Sequence, residues 1–224
     1  MAKRKNSQSK SRQITVFVAE DHPIARKGIQ EAIEKTQDVL LVGEAENGVG
    51  LPEKILALRP DVLLLDLKMP DFSPAKLADW VLENLPETET LVLTSHDRDA
   101  YLARMMAAGA SGYLDKGCQE EQLLVAIRRA AGKEPFFTEE QLQRASRWQE
   151  TVGAKWESLS EKEHQVLAYL CEGQENSDMA DRMDISINTV EKHVSNLLKK
   201  LGVKSRLQAV AWFHEHDPSA YDDL

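Results

Sequence analysis

Five residues in the first half of the chain have the types and the spacing to handle a phosphoryl group: Glu20, Asp21, Asp66, Thr94 and Lys116. Each sits at or just past the end of a short apolar run. Carboxylates brought together repel unless a cation shares the site, and Mg²⁺ is the natural one. It prefers oxygen ligands and keeps several waters, which leaves positions for a phosphoryl oxygen. On this reading Asp66 is a nucleophile that forms an acyl phosphate, as carboxylates do in covalent catalysis. Asp21 and Asp66 ligate the metal, Glu20 acts through water, and the backbone carbonyl of Lys68 completes the shell. Thr94 offers a hydroxyl and Lys116 a point charge to the phosphoryl oxygens.

The elements that must position these groups can be read from periodicity. From Ile14 to about Gly132, short apolar runs alternate with longer amphipathic ones, the pattern of a parallel sheet wrapped by helices. The strands are ITVFVA (14–19), VLLVGEA (39–45), DVLLLD (61–66), TLVLT (90–94) and GYL (112–114), with helical stretches near 23–35, 50–58, 74–85, 98–108 and 119–131. Near-continuous hydrophobic strands fit a sheet covered on both faces. Five βα units make a doubly wound α/β domain, whose ligand site lies beyond the carboxyl ends of its strands. All five reactive residues are therefore expected at one edge.

The second half changes character. KEPFFTEEQLQRASRWQETVGAKWES is polar and without strand signal, so a partly helical linker is expected. Only helical segments follow: SEKEHQVLAYLCEG, NSDMADRM, SINTVEKHVSNLLKKLG and SRLQAVAWFHEH. In the third, Val190, Val194, Leu197, Leu198 and Leu201 fall on one helical face, and Ser186 is placed to cap its start. The opposite face carries Asn188, Glu191, Lys192, Ser195 and Lys199, with Thr189 and Asn196 beside them, all able to meet phosphates and base edges. A short helix leading by a tight turn into such a helix is a helix-turn-helix, which puts its second helix in the major groove of double-stranded DNA. Glu157 to Asp184 holds two basic residues against eight acidic, a net of −6, whereas Asn188 to Arg206 holds five against one, a net of +4. Positive charge is gathered on the recognition segment, the footprint of a nucleic-acid contact.

Composition sets the remaining limits. The chain has 224 residues, 42% hydrophobic and 29% charged, which suits two ordinary domains. A net charge of −9 argues against coating nucleic acid indiscriminately, because that affinity comes from neutralising phosphates. No run approaches the roughly 18 apolar residues of a membrane helix, so no membrane association is expected. The basic start (Lys3, Arg4, Lys5, Lys10, Arg12) precedes a short β-branched run and not a secretory core. It reads as a solvated end of a cytoplasmic protein. Cys118 and Cys171 lie far apart without metal-ligand spacing and read as ordinary reduced thiols.

The spacing of AEDHP, LLLDLKMP, VLTS and GYLDKG resembles the receiver domains of two-component response regulators. LSEKEHQVLAYLCEG and the helices after it resemble the four-helix output domain of NarL/LuxR-type regulators. The resemblance implies a receiver over 13–132, a linker over 133–156 and a helix-turn-helix domain over 157–216. It implies a transcription factor that is not an enzyme, takes phosphate from a sensor histidine kinase and acts as a homodimer on paired half-sites. It also gives Tyr113, three residues before Lys116, the role of a switch aromatic. Two positions depart from the receiver pattern: Pro74 stands where a glycine is usual, so proline must open the helix, and Gly117 follows Lys116 where proline is common. In the output domain, Glu191 stands where a lysine often follows TV. An aspartyl phosphatase would need a second acid two residues after the nucleophile, and this chain has Lys68 there.

Overall fold

The computed structural model describes residues 12–95 and 97–216. The cations Lys3, Arg4, Lys5 and Lys10 lie outside the described residues. Arg12 is described, and its guanidinium pairs with Asp61 at 2.8 Å. The chain divides into two compact units.

The first unit is a five-stranded parallel sheet in the order β2-β1-β3-β4-β5. Its strands are β1 (Ile14–Ala19), β2 (Val39–Ala45), β3 (Val62–Leu65), β4 (Glu89–Thr94) and β5 (Gly112–Asp115), each followed by a helix: α1 (Pro23–Glu34), α2 (Leu51–Leu58), α3 (Pro74–Asn84), α4 (Asp99–Ala107) and α5 (Glu120–Ala131). This is the doubly wound α/β arrangement expected from the alternation of apolar runs. Val16, Val18, Leu64, Leu91 and Leu114 pack on one face against Ile29 and Ile33 of α1 and Leu123 and Ile127 of α5. Each such fully buried side chain contributes about 1.5–3 kcal/mol of transfer free energy.

Register is what matters for the site. Ala19 pairs with Leu65, and the amide of Asp66 donates to the carbonyl of Ala19 at 2.9 Å. Glu20 and Asp66 therefore leave adjacent central strands at the same level. Thr94 pairs with Asp115, and the amide of Lys116 donates to Thr94 O at 3.0 Å. A slip of one residue in either ladder would turn these side chains to the opposite face.

The loop after Asp66 is held from the neighbouring β2–α2 loop. Asp71 takes the left-handed conformation at φ 63°, which aspartate tolerates better than most residues. Ser73 caps α3 by accepting from the amide of Lys76 at 3.2 Å, and Pro74 opens the helix as anticipated. Gly48 donates its amide to Pro70 O at 2.9 Å. A Cβ at Gly48 would collide with the carbonyl oxygen of Asp71 and with Cβ of Phe72, so only glycine lets the two loops touch.

The second unit is helical. It contains α6 (Glu139–Trp148), a π-helical turn (Gln149–Gly153), α7 (Ala154–Ser158), α8 (Glu161–Cys171), α9 (Asn176–Met183), α10 (Ile187–Leu201) and α11 (Arg206–His216). Val166, Leu167, Met179, Val190, Leu197 and Ala209 form its dry centre. A capping box starts α8: Ser160 Oγ accepts from the Glu163 amide while the Glu163 carboxylate accepts from the Ser160 amide. Asp184, at φ 52°, ends α9 and turns the chain into α10.

The contact at Gly48 yields a test. Gly48→Ala is expected to destabilise the first unit by about 1–3 kcal/mol, the usual cost of forcing a clash with backbone. Urea unfolding of the variant and its parent checks it, and equal midpoints would contradict the close approach.

Candidate functional site

Glu20, Asp21, Asp66 and Lys116 converge beyond the carboxyl ends of β1, β3 and β5. Glu20 and Asp66 are almost wholly buried, at 1% and 2% exposure. Lys116 Nζ lies 2.8 Å from Glu20 Oε1 and 2.8 Å from Asp66 Oδ2, so one ammonium bridges both carboxylates. The backbone amide of Lys68 donates to the Asp66 carboxylate. Thr94 is buried at the end of β4, and Tyr113 is buried on β5. Asp21 is half-buried at the rim.

Two participants were not singled out from sequence. The His22 ring places Nδ1 2.7 Å from Asp21 Oδ1 and 3.2 Å from Glu20 Oε1. Arg26, one turn into α1, donates to the carbonyl of Glu20 at 2.5 Å and lies 3.5 Å from Glu46 Oε2. The signal was present as the HP that follows Glu20 and Asp21, but nothing in a linear pattern says that this imidazole folds back on the acids.

Burial is the largest influence on Asp66. It pushes the carboxyl up to about 6, helped by the charge of Glu20 and opposed by Lys116 and the Lys68 amide. Burial by itself would lower Lys116, but the close carboxylates of Asp66 and Glu20 outweigh that and raise it. Glu20 Oε2, Asp21 Oδ1 and Asp66 Oδ2 are buried without a hydrogen-bond partner. The short N···O approaches to Asp21 Oδ1 and Asp66 Oδ2 are ion-pair distances that lack hydrogen-bond alignment. Ligand atoms of Glu20, Asp21, His22 and Asp66 lie within 4.8 Å of one another. Clustered carboxylate oxygens that accept no hydrogen bond are a donor set suited to a hard divalent cation.

The second candidate site is the outer face of α10. Val190, Val194, Leu197 and Leu201 are buried, while Asn188, Glu191, Lys192, Ser195, Asn196 and Lys199 are exposed. Thr189 is half-buried, with its amide bonded to Ser186 Oγ at 3.2 Å. The charge partition needs one correction. Lys200 is 2.6 Å from the buried Glu163 carboxylate, and Arg206 donates to Asn176 Oδ1 at 2.5 Å. Two of the five cations are therefore engaged within the unit, and the positive stripe is narrower than the count suggests.

Residues 16–128 match the response regulator receiver domain, and residues 157–213 match the bacterial regulatory proteins of the luxR family. The chain belongs to the response regulators. It is similar to the response regulator protein VraR of Staphylococcus saprophyticus, 32% identical over 204 residues, covering 91% of this chain and 98% of that one. The oxygen regulatory protein NreC of Staphylococcus epidermidis is 31% identical over 207 residues, covering 88% and 95%. Among solved structures, RcsB from Salmonella enterica serovar Typhimurium, bound to promoter rprA in the presence of the phosphomimetic BeF3-, aligns with a TM-score of 0.56 at 26% identity, covering 90% and 98%. The signal receiver domain of NarL from Mycobacterium tuberculosis aligns with a TM-score of 0.52 at 34% identity, over 55% of this chain and 98% of that one. This response regulator thus joins a receiver with the acidic pocket to a LuxR-type DNA-binding domain, and it is a transcription regulator. Among the described residues no helix is long and apolar enough to cross a membrane.

The raised Asp66 gives a pH signature with a definite sign. Its carboxyl titrates higher in the folded chain than the ordinary aspartate value of 3.8, so the folded state favours the protonated form. The associated stability is present in full below about pH 4 and is lost as pH rises through 6. In a chelator, Asp66→Asn is expected to be more stable than the parent at pH 7.5, by up to about 3 kcal/mol at 1.36 kcal/mol per unit, with the gap closing towards pH 4. Parallel thermal melts across that range check it, and a gap independent of pH would overturn the assignment.

Proposed function

We propose that Asp66 is the phosphoacceptor of a receiver spanning 13–132, joined by a linker (133–156) to the DNA-binding domain at 157–216. The observation that carries this reading is the Glu20, Asp21 and Asp66 cluster, with three buried oxygens that accept no hydrogen bond and the Lys116 ammonium against it. An Asp66 carboxylate oxygen attacks phosphorus, the bond from phosphorus to the donor breaks, and the donor leaves with that electron pair. The product is an acyl phosphate. The donor in the cell is the phosphohistidine of a sensor histidine kinase, in the cytoplasm.

Mg²⁺ fits the pocket: Asp21 and Asp66 would hold it directly, Glu20 through water and Lys68 through its carbonyl, and it would supply positive charge to the phosphoryl oxygens. Lys116 binds one phosphoryl oxygen as a point charge, and Glu20 keeps it in place when the Asp66 oxygen is consumed. Thr94 donates its hydroxyl to a second oxygen. Tyr113, on the same strand as Lys116's approach, is the aromatic that reports the change. No step needs the chain to turn over a substrate, so its output is binding and not catalysis.

That output is double-stranded DNA. Asn188, Thr189, Glu191, Lys192, Ser195, Asn196 and Lys199 form the contact face of α10, with the lysines on phosphates and the shorter polar groups on base edges. Two copies, paired on phosphorylation, place one such helix in each of two half-sites about one helical turn apart.

Incubation with acetyl phosphate and Mg²⁺ tests the pocket. Intact mass should rise by one phosphoryl group in the parent chain and not in Asp66→Asn, and Mg²⁺ should raise the melting temperature of the parent far more than that of the variant. Equal labelling of the two chains would refute Asp66 as the acceptor.

Glu191 tests the DNA face. A carboxylate on the groove side accepts from a cytosine amino group or repels phosphate. Glu191→Lys is expected to tighten binding to random duplex, to steepen the salt dependence by about one to two phosphate contacts, and to shrink the preference for a selected site. Titrations at two salt concentrations measure all three, and unchanged preference would remove Glu191 from the base-reading set.

A further inference from the structure

The last linker helix and the end of α10 exchange cations. Lys155 of α7 donates through Nζ to the carbonyl of Leu201 at 3.1 Å. In return Lys200 of α10 donates through Nζ to the carbonyl of Ser158 at 2.7 Å and to Glu163 Oε2 at 2.6 Å. The last carbonyls of any helix have no partner within it, and a cation there also meets the negative end of the helix dipole. Here each helix has its carboxyl end satisfied by a lysine from the other. Glu163 is the buried acid of the α8 capping box, accepting from the Ser160 amide at 2.7 Å. Lys200 thereby joins three helices.

Aromatic packing makes the same connection. Trp156 of α7 stacks on Trp212 at 6.0 Å between ring centroids, with an interplanar angle of 18°. It also meets His164 edge-on at 4.9 Å and Phe213 at 5.9 Å. Trp156 is packed against the core of the DNA-binding unit, so α7 is covered by that unit's own side chains.

We propose that Lys155 and Lys200 are positioning residues, a reciprocal clamp that sets the pose of the recognition helix, so that the DNA-reading unit begins at Ala154 and includes α7. This rests on the reading of α10 as the recognition helix. The leverage is geometric. Fifteen residues of α10 span about 22 Å, and the clamp grips the carboxyl end while Asn188, Glu191 and Lys192 lie near the other. A tilt of about 10° at the clamp moves Lys192 by about 2.4 Å and Asn188 by about 3.4 Å, more than a base-edge hydrogen bond tolerates. Lys200 then acts through α10 and not on DNA, because its ammonium is already held by a carbonyl and a carboxylate.

The experiment uses the full chain carrying Lys155→Met, Lys200→Met or Lys200→Arg. Binding is measured to the duplex that the parent selects from a random library and to a random duplex, over a range of salt, well below each melting temperature. Loss of the clamp should weaken binding to the selected duplex about ten-fold in both Met variants, with random-duplex affinity within about two-fold and the salt slope unchanged. Lys200→Arg, which can still donate to both acceptors, should recover most of the loss. Lys155→Met, at an exposed position, keeps the test available if Lys200→Met unfolds. A loss shared equally by both duplexes, with the slope reduced by about one, would make Lys200 a phosphate contact and overturn the clamp. A lower melting temperature with unchanged discrimination would also overturn it. If the parent selects no sequence at all, the reading of α10 itself fails, and that result is visible before any variant is compared.

Discussion

The receiver pocket depends on one ammonium group. Glu20 and Asp66 are held out of water on adjacent strands, and two carboxylates so placed would repel each other and lose their hydration. Lys116 Nζ, 2.8 Å from an oxygen of each, is what makes the arrangement tolerable. It does not make it comfortable. Asp66 still titrates near 6, and one oxygen on each acid lacks a hydrogen-bond partner. The pocket is thus folded but electrostatically incomplete, which is the condition that favours a bound cation and then a charged phosphoryl group. Everything that fixes Lys116 relative to Asp66 serves this balance: the β3–β4–β5 ladder, the bond from the Lys116 amide to Thr94, and the loop contact at Gly48.

The second unit brings the same pair of charges to the opposite electrostatic outcome. Glu163 is also buried, at 3% exposure, and it also faces a lysine, Lys200, at 2.6 Å. Burial alone would raise its carboxyl, yet Lys200 and the Ser160 donors more than offset this and hold it below the ordinary range. The difference lies in the donors. Glu163 sits in the first turn of a helix and accepts from the amide and hydroxyl of Ser160, whereas Asp66 shares its lysine with a second acid. A satisfied buried acid makes a rigid joint. An unsatisfied one makes a reactive site. Residue type does not separate the two, since both are a carboxylate and a lysine; the count of donors and competitors does.

This contrast also explains what could be read from the sequence and what could not. The five strands are legible because buried parallel strands leave continuous apolar runs, and their ends place Glu20, Asp21, Asp66, Thr94 and Lys116 at one edge. Ser186 and Pro74 were legible as helix starts because capping is a local rule. The role of Gly48 was not, because it depends on the approach of a loop more than twenty positions away. Nor was the capture of Lys200 by Glu163, 37 residues earlier. Counting charges by segment credits Lys200 to the DNA face, whereas tertiary structure assigns it to a helix joint. His22 was missed for a related reason: its ring turns back onto neighbouring acids, and periodicity carries no information about side-chain direction in a loop.

The narrowing of the positive stripe bears on how such a chain can be switched. With Lys200 and Arg206 engaged inside the unit, Lys192, Lys199 and Lys204 are the cations of the α10 segment left to face phosphates, and the acidic helices before them lie within a few Debye lengths of ~8–10 Å. Affinity grows with the number of phosphates neutralised, so a single domain with so few cations has little to hold DNA by. Under the proposed pairing of two copies, the second contact becomes intramolecular, and its effective concentration, not any new bond, supplies the gain. A weakly basic output domain is then an advantage for regulation. A strongly basic one would bind whether or not the receiver was phosphorylated, whereas this one, under the proposed phosphorylation of Asp66, leaves the decision to that event.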